Sequence, residues 1–177
     1  KIACAGGDFM NVKTNKLILE MDEVDELFVC PASGDEGLAV GAALQANFEL
    51  SIQDGNICSK TPLKDLYFGT SFSNEQIEKT LKEKDLLSEA QFIDDIDCEI
   101  GELLSKEDNI IARFSGQMEW GPRGLGNRSI LANASNLEIT RKLNHAIKMR
   151  DFWMPFGPSI LHDRIDDYLI NGKHSPH

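Results

Sequence analysis

The sequence lacks the features that mark a membrane-bound or secreted protein. No apolar run approaches the roughly 20 residues that a helix needs to cross a bilayer, and no charged segment followed by an apolar one resembles a leader peptide. Hydrophobic residues make up 41% of the 177 residues and charged residues 27%, which is globular composition without low complexity. We therefore expect a cytoplasmic protein without a membrane partner, large enough for one domain or for a small domain and part of another.

Cysteine and histidine are scarce, and neither is spaced for metal binding. The four cysteines form no CxxC pair and lie in largely apolar stretches, so they offer neither a zinc site nor a disulfide framework. Buried free thiols in a reducing compartment are the simpler interpretation. The four histidines show no metal-ligand spacing, and none gains a catalytic role from the sequence.

Basic residues are also few. The chain has 18 Lys and Arg against 29 Asp and Glu, which gives a formal net charge of −11. Because nucleic-acid binding depends on neutralising phosphates with Lys and Arg, this balance argues against a DNA or tRNA partner. A small phosphorylated ligand needs only a local basic pocket and is compatible with the charge.

Short apolar runs between turn residues predict an α/β fold. We expect strands at Lys1–Ala5, Leu27–Cys30, Leu66–Gly69 and Ile110–Phe114. Residues 51–65 are polar and turn-rich, and we interpret them as a linker.

Three capping-box patterns predict where helices begin. A Ser followed three residues later by Glu or Gln starts a helix at Ser33, Ser73 and Ser135, and Asp94 or Asp95 is expected to cap another. The helix after Ser33 is apolar nearly all round, which predicts burial on most sides. The helix after Ser135 should carry Leu137, Leu143 and Ile147 on one side, and a short last helix is expected over residues 165–170.

The strongest chemical signal is the glycine-rich segment 116–129. Its four glycines and one proline exclude a regular helix or central strand. Glycines let the backbone approach a ligand, so that N–H groups can point at phosphate oxygens. Arg123 and Arg128 offer planar forks for phosphate or carboxylate oxygens, Ser129 adds a hydroxyl, and Glu119 could orient an arginine. The alternative is a tight surface loop with solvated arginines.

A second basic cluster, Lys148 and Arg150, precedes an aromatic and proline-rich segment. If the helix ends here, both side chains could reach one pocket, although cations in a last helical turn also suit the helix dipole. Phe152, Trp153 and Phe156 could pack around an adenine, but core packing is the commoner role for such aromatics.

Two weaker signals lie near the start of the chain. Gly6 and Gly7 follow a strand and precede Asn11, so they could approach a nucleotide, yet the spacing of the common phosphate-binding loops is missing. Asp35 stands at a predicted helix start, where a carboxylate is a cap by default and a metal or phosphate-site ligand by alternative.

In combination, these residues resemble the carbamoyltransferase family of nodulation protein U and of the enzymes that carbamoylate tobramycin and cephamycin. The match runs in order through nearly the whole chain. It comprises Gly6-Gly7 with Asn11 and Asn15, Pro31 with Gly34-Asp35, Leu66–Gly69, the long signature Met118–Leu131, Leu143-Asn144, Lys148, Arg150, Pro155-Phe156 and Pro158-Ser159.

The resemblance implies two α/β parts. Residues 1–50 would be the tail of a Kae1-like (actin-like ATPase) transferase domain. Residues 51–65 would be the linker, and residues 66–177 a YrdC/Sua5-like carboxyl-terminal domain that is incomplete at its end. The expected partner is then the missing amino-terminal Kae1-like region, and a homodimer is a further expectation.

The resemblance also implies an activity. The family is thought to form a carbamoyl adenylate from carbamoyl phosphate and ATP and to pass the carbamoyl group to the hydroxyl of a small acceptor, beside a divalent metal of iron or magnesium type. Asp35 matches the metal-ligand aspartate. The catalytic anion ligands would be Arg123, Arg128, Ser129, Lys148 and Arg150. The residues that bind ATP would be Gly6, Gly7, Asn11, Gly121, Gly126 and Asn127.

Some positions depart from the family pattern. Gln117 and Met154 stand where arginines are common, Gly124 replaces Ala, and Trp120 replaces Phe. The amino-terminal histidine pair of the metal site is missing, so this chain should not complete the transfer alone. Two other functions stay open: tRNA threonylcarbamoylation, which uses the same two folds, and a non-catalytic nucleotide-binding regulatory module.

Overall fold

The structure, a computed structural model, describes residues 1–58, 63–106, 108–170 and 172–173 and is mixed α/β. Its strands are β1 (Ile2–Cys4), β2 (Leu27–Val29), β3 (Ile110–Phe114) and β4 (Arg128–Ala132). Its helices are α1 (Val12–Leu19), α2 (Glu36–Gln53), α3 (Asn74–Glu83), α4 (Ile96–Ser105), α5 (Leu137–Leu143) and α6 (Ile165–Tyr168). In the part of the chain that the structure describes, no helix is both long and apolar enough to span a membrane.

The chain divides into two compact units, each built from separate segments. Unit 1 contains residues 1–67 and 120–123 with the described residues from 161 onward, and unit 2 contains residues 68–119 and 124–160. The domain boundaries at residues 50 and 66 stay predictions. The first three residues of the predicted linker are helical, because α2 continues to Gln53.

Unit 1 is organised around a two-stranded parallel sheet. β1 pairs with β2, with Ala3 opposite Phe28. The buried apolar residues of the unit are Val24, Leu27, Ala32 and Leu66. Its last described segment is attached through the Lys173 ammonium, which donates to the carbonyls of Met21 and Val24 at 3.0 and 2.9 Å.

Helix α2 belongs to unit 1 but is not buried in it. None of its 18 residues is buried, and Leu38 and Leu44 are 70% and 65% exposed. The expectation of burial on most sides is therefore wrong for this chain. The reason is size: a two-stranded sheet and short helices offer too little apolar surface to cover so long a helix.

Unit 2 is built around the antiparallel pair β3 and β4, with Ala112 opposite Ile130. Its buried apolar residues include Ile139 and Leu143 of α5. Leu137 is 84% exposed and Ile147 is 44% exposed, so the predicted apolar face of this helix is wrong except for Leu143. The backbone passes from α5 into a π-helical turn, Asn144–Lys148.

Most predicted elements are present. The strands near residues 1–5, 27–30 and 110–114 are confirmed as β1, β2 and β3, and the short last helix as α6. The strand predicted at Leu66–Gly69 is wrong, because this segment makes only isolated backbone bonds, such as Gly69 N–H to the Met118 carbonyl at 2.9 Å, rather than a ladder.

The helix caps are confirmed in two cases out of four. Ser73 and Gln76 form both halves of a capping box at α3, and the Asp95 carboxylate accepts from Cys98 N–H at α4. At α5 the cap is Asn136, whose amide oxygen accepts from Glu138 N–H, so the Ser135 box is wrong by one residue. At α2 the first helical residue is Glu36 and no side chain caps it, so the Ser33 box is wrong as well.

Candidate functional site

The glycine-rich segment is the connection between β3 and β4. Phe114 pairs with Arg128 in the ladder, and Ser115 N–H donates to the Asn127 carbonyl at 3.0 Å, which closes the base of the connection. Arg128 and Ser129 are thus the first residues of β4. The expectation of no regular helix and no central strand in segment 116–129 agrees with this, because β4 belongs to a two-stranded sheet among the described residues, in which neither strand is central. The middle of the connection, Trp120–Arg123, groups with unit 1 and the rest with unit 2.

The carboxylate of Glu119 is the centre of this segment in unit 2. Glu119 is only 8% exposed, and its Oε1 accepts from the N–H groups of Leu125, Asn127 and Arg128 at 2.8, 2.7 and 3.1 Å. The remaining N–H of this run, that of Gly126, donates to Ser129 Oγ at 2.9 Å. Four successive N–H groups therefore bind side chains of their own segment, and in this structure they are not directed at a phosphate. Glu119 binds backbone rather than an arginine side chain.

These contacts set the charge of Glu119. Burial by itself would raise the pKa of the carboxyl group, but the backbone N–H donors favour the ionised form more strongly, and the pKa lies below its ordinary value. Glu119 is therefore an internal anion held in a nest of N–H groups, the arrangement that binds phosphates in other proteins.

Arg128 connects the two ends of the same segment. Its Nη1 donates to the carbonyls of Ser115 and Asn127 at 2.6 and 3.1 Å, and its Nη2 to those of Gly116 and Thr70 at 3.2 and 3.4 Å. The guanidinium carbon lies 3.6 Å from the centre of the Phe114 ring. That Arg128 binds an anion stays a prediction, but the four Nη hydrogen bonds to carbonyls favour a role in holding the segment together.

Gly124 is a departure from the family pattern that the local packing explains. A Cβ at this position would lie 2.8 Å from both the Arg128 carbonyl oxygen and Ser129 Oγ. Real Cβ atoms are essentially never that close to other heavy atoms, so an alanine here would shift the start of β4.

The second basic cluster follows α5. Arg150 donates from Nε to the Asn144 amide oxygen at 2.7 Å, and its guanidinium lies 4.5 Å from the centre of the Phe156 ring. Lys148 is exposed, and its side chain makes no hydrogen bond or ion pair with the described residues. Neither cation has a carboxylate partner among the described residues, in contrast to Arg113 and Lys142 of the same unit, which pair with Asp97 and Asp108.

Within unit 1, the structure places Gly6 and Gly121 near the end of β2. Gly6 N–H donates to the Ser33 carbonyl at 2.8 Å, and Gly6 has a φ of 113°. Gly121 has a φ of 109°, and a Cβ there would lie 2.9 Å from the Pro31 carbonyl oxygen. Glycine is thus required at both positions by the conformation of the backbone. Gly7 begins a 3-10 turn, Gly7–Met10.

The remaining predicted site residues of unit 1 differ in whether their side chains make hydrogen bonds. Asn11 caps α1, because its side chain accepts from the N–H groups of Lys13 and Thr14. Asp35 is exposed and makes no side-chain cap bond at α2. Arg123 is exposed and has no side-chain partner in the described part of the chain. No three His, Cys, Asp or Glu side chains among the described residues come together to hold a metal ion.

The structure thus brings Gly126, Asn127, Arg128 and Ser129 together around Glu119, and Lys148 lies two residues from Arg150 in the same unit. Sequence reasoning missed the role of Asn144, which is fully buried. Two features of the sequence point to Asn144: it follows the apolar Leu143, and it precedes the Lys148 and Arg150 pair.

Comparison with known proteins finds matches to two family models. Residues 1–44 match the family model of the carbamoyltransferase N-terminus, and residues 102–177 that of the carbamoyltransferase C-terminus. An uncharacterised protein of Methanocaldococcus jannaschii is 40% identical over 92% of this chain and 27% of its own length. The nodulation protein NolO of Bradyrhizobium diazoefficiens is 34% identical over 96% of this chain and 30% of its own length. Nodulation protein U of Rhizobium fredii is 31% identical over 99% and 27%.

The chain spans less than a third of the length of these relatives. The two family models together cover most of it, in the order in which the two parts occur in the family. The chain therefore belongs to the carbamoyltransferase family that these amino- and carboxyl-terminal models describe.

Proposed function

We propose that the protein to which this chain belongs is an O-carbamoyltransferase that uses ATP. Carbamoyl phosphate supplies the carbamoyl group and releases phosphate, ATP supplies AMP and releases pyrophosphate, and one water is consumed in forming the carbamoyl adenylate. The hydroxyl oxygen of a small acceptor then takes the carbamoyl group, the bond between the carbamoyl carbon and AMP breaks, and AMP and the hydroxyl proton are released. The family membership and the names of the nodulation-protein relatives support carbamoyl transfer.

The observation that carries the proposal is the uncompensated charge of the second basic cluster. Arg150 is held by a neutral amide and an aromatic ring, and Lys148 has no side-chain partner among the described residues. In a chain with a net charge of −11, two cations without carboxylate partners favour an anionic ligand. Carbamoyl phosphate and the ATP phosphates are such ligands, and fixed cations also stabilise the charge that develops during phosphoryl and acyl transfer.

Unit 1 supplies the remaining candidates. We assign Gly6, Gly7 and Gly121 to the nucleotide or the carbamoyl adenylate. A Cβ at Gly6 or Gly7 would meet nothing within 4 Å, which leaves space beside the backbone for a ligand, and Gly121 packs against the Pro31 carbonyl near the end of β2. Arg123 is a third candidate cation for the phosphates. Gly6 and Gly7 would belong to the Kae1-like part, and Gly121, Arg123 and the residues of unit 2 to the YrdC-like part.

The metal of the family fits this chain only in part. Asp35 has an exposed carboxylate without a cap bond, which leaves it available as a ligand. The described residues contain no group of three metal-binding side chains, so the other ligands would come from elsewhere in the full-length protein. No step of the reaction is therefore assigned to a metal held by this chain.

Exchange of labelled pyrophosphate into ATP tests the activation step. The full-length protein should catalyse this exchange only when carbamoyl phosphate is present. Arg150→Ala and Arg123→Ala should each lower the rate by about 10- to 100-fold, as expected when a charged hydrogen-bond partner worth about 1.5–3 kcal/mol is removed. Arg141→Ala is the matched control, because Arg141 pairs with Glu138 on the surface of α5.

Each contrary result favours a different function. A folded protein that binds ATP without any exchange would overturn the proposal in favour of a regulatory module. Exchange that requires a tRNA would indicate threonylcarbamoylation. Exchange that survives in Arg150→Ala and Arg123→Ala would retain the activity but remove these residues from the site.

A further inference from the structure

Asn144 is a fully buried amide whose hydrogen-bonding atoms are all engaged. Its exposed fraction is 0%. The two hydrogens of Nδ2 go to the carbonyls of Phe152 and Met154 at 3.0 and 2.9 Å, and Oδ1 accepts from Arg150 Nε at 2.7 Å. Its backbone carbonyl accepts from Arg150 N–H at 3.0 Å. A buried amide with every group satisfied fixes the segments that it joins.

The contacts of the Arg150 guanidinium leave its Nη1 group without a partner among the described residues. Nε is bound to Asn144, one face lies over the Phe156 ring, and Nη2 makes a long contact of 3.4 Å with the Pro155 carbonyl. Nη1 makes no hydrogen bond with the described residues. The edge formed by the two Nη groups is the one that binds phosphate or carboxylate oxygens in a bidentate manner.

The same bonds support a left-handed residue between the two cations. Met149 has φ 47° and ψ 50° and is 87% exposed, so neither a glycine backbone nor burial of its side chain stabilises this conformation. Such a conformation persists only where its surroundings hold it. The bonds from Asn144 to residues 150, 152 and 154 return the chain against the end of α5 and supply that restraint.

We propose that Asn144 is a positioning residue of the anion site, which acts by presenting the Nη edge of Arg150 to the phosphate of carbamoyl phosphate. The inference rests on the proposed function. According to this inference, the buried and neutral side chain of Asn144 contributes to the affinity for carbamoyl phosphate.

A double-mutant cycle on the full-length protein tests this role. The dissociation constant for carbamoyl phosphate is measured calorimetrically for wild type, Asn144→Ala, Arg150→Ala and the double variant. Asn144→Ala should weaken binding at least tenfold in the wild-type background and should have no further effect when Arg150 is absent. An unchanged dissociation constant, or an equal loss in both backgrounds, would overturn the inference.

Asn133→Ala is the matched structural control. Asn133 also uses its amide to bridge backbone, donating to the Leu104 carbonyl at 2.9 Å and accepting from Ser135 N–H at 2.8 Å. Its loss should lower the melting temperature and leave the dissociation constant unchanged. A comparable loss of affinity in Asn133→Ala would show that general destabilisation explains the effect of Asn144→Ala, and it would overturn the inference.

Arg150→Lys keeps the inference testable if Asn144→Ala does not fold. Lysine retains the charge but has no Nε–H for Asn144 and no Nη edge. The affinity of Arg150→Lys for carbamoyl phosphate should therefore fall nearly as far as that of Arg150→Ala. Wild-type affinity in Arg150→Lys would show that charge alone matters and would overturn the inference. If the wild-type protein does not bind carbamoyl phosphate, the proposed function fails together with the inference. If the wild-type protein binds it and only the variants depart from expectation, the inference about Asn144 alone fails.

Discussion

Removing the carboxylate of Glu119 should release the run of N–H groups that it binds. Its Oε1 accepts three backbone hydrogen bonds of 2.7 to 3.1 Å, and the residue is 8% exposed. A hydrogen bond to a charged group contributes about 1.5–3 kcal/mol. Because the three bonds share one oxygen, they do not add in full, and we expect Glu119→Ala to lower the local opening free energy by about 3 kcal/mol.

Hydrogen exchange at single-amide resolution measures this energy directly, since exchange of a protected amide reports its local opening. In the full-length protein, the amides of Leu125, Asn127 and Arg128 should exchange about a hundredfold faster in Glu119→Ala than in wild type, at about 1.4 kcal/mol per tenfold. Glu138→Ala, which removes an exposed ion pair with Arg141, is the control and should leave these amides unchanged. Equal protection in Glu119→Ala and wild type would refute the assignment of Glu119 as the anchor of the segment.

Further expected outcomes follow from the same contacts and from the packing of α2 and α3. Because the pKa of Glu119 lies below its ordinary value, the contribution of Glu119 to the stability of its segment should be complete above the ordinary carboxyl pKa and should be lost as the pH falls through the lowered pKa. Glu119→Gln should abolish this pH dependence of amide protection. The Cβ added by Gly37→Ala would overlap the Ala32 carbonyl oxygen, so this variant should destabilise the chain by about 1–3 kcal/mol. Gly41→Ala in the same helix meets nothing within 4 Å and should stabilise the chain by about 0.5–1 kcal/mol, with both free energies measured by urea unfolding. Ser73→Ala should cost about 1 kcal/mol through loss of the α3 cap, while Ser135→Ala, at a position that does not cap α5, should cost much less in the same assay; equal effects would contradict the cap assignment.

The elements that the sequence predicts well are those determined by neighbours along the chain. β1, β2 and β3 are short apolar runs between turn residues, and the caps at Ser73 and Asp95 depend on contacts three residues away. The cap at α5 was misplaced by one residue because Asn136 caps as well as Ser135 would, and local spacing cannot separate them. The sequence does not predict α1, because the pattern around Asn11 favours a nucleotide ligand, whereas in the structure Asn11 caps this helix.

The contacts that build the candidate site could not be read from local spacing. Glu119 meets Arg128 N–H nine positions along the chain, and Asn144 meets the Met154 carbonyl ten positions along. Neither separation corresponds to a helical or strand period, so only the folded backbone shows them. Glycine content suggested that the N–H groups of segment 116–129 were free for phosphate, but the sequence does not show that a carboxylate from the same segment takes that place.

The proposed function requires that the full-length protein make a carbamoyl adenylate. Incubation with labelled carbamoyl phosphate and ATP, without an acceptor, followed by mass spectrometry of the bound nucleotide, tests this claim. We predict a carbamoyl adduct of AMP that forms only when both substrates are present and that Arg150→Ala greatly reduces. Consumption of carbamoyl phosphate without any AMP adduct, in a protein that binds ATP, would contradict the proposed function.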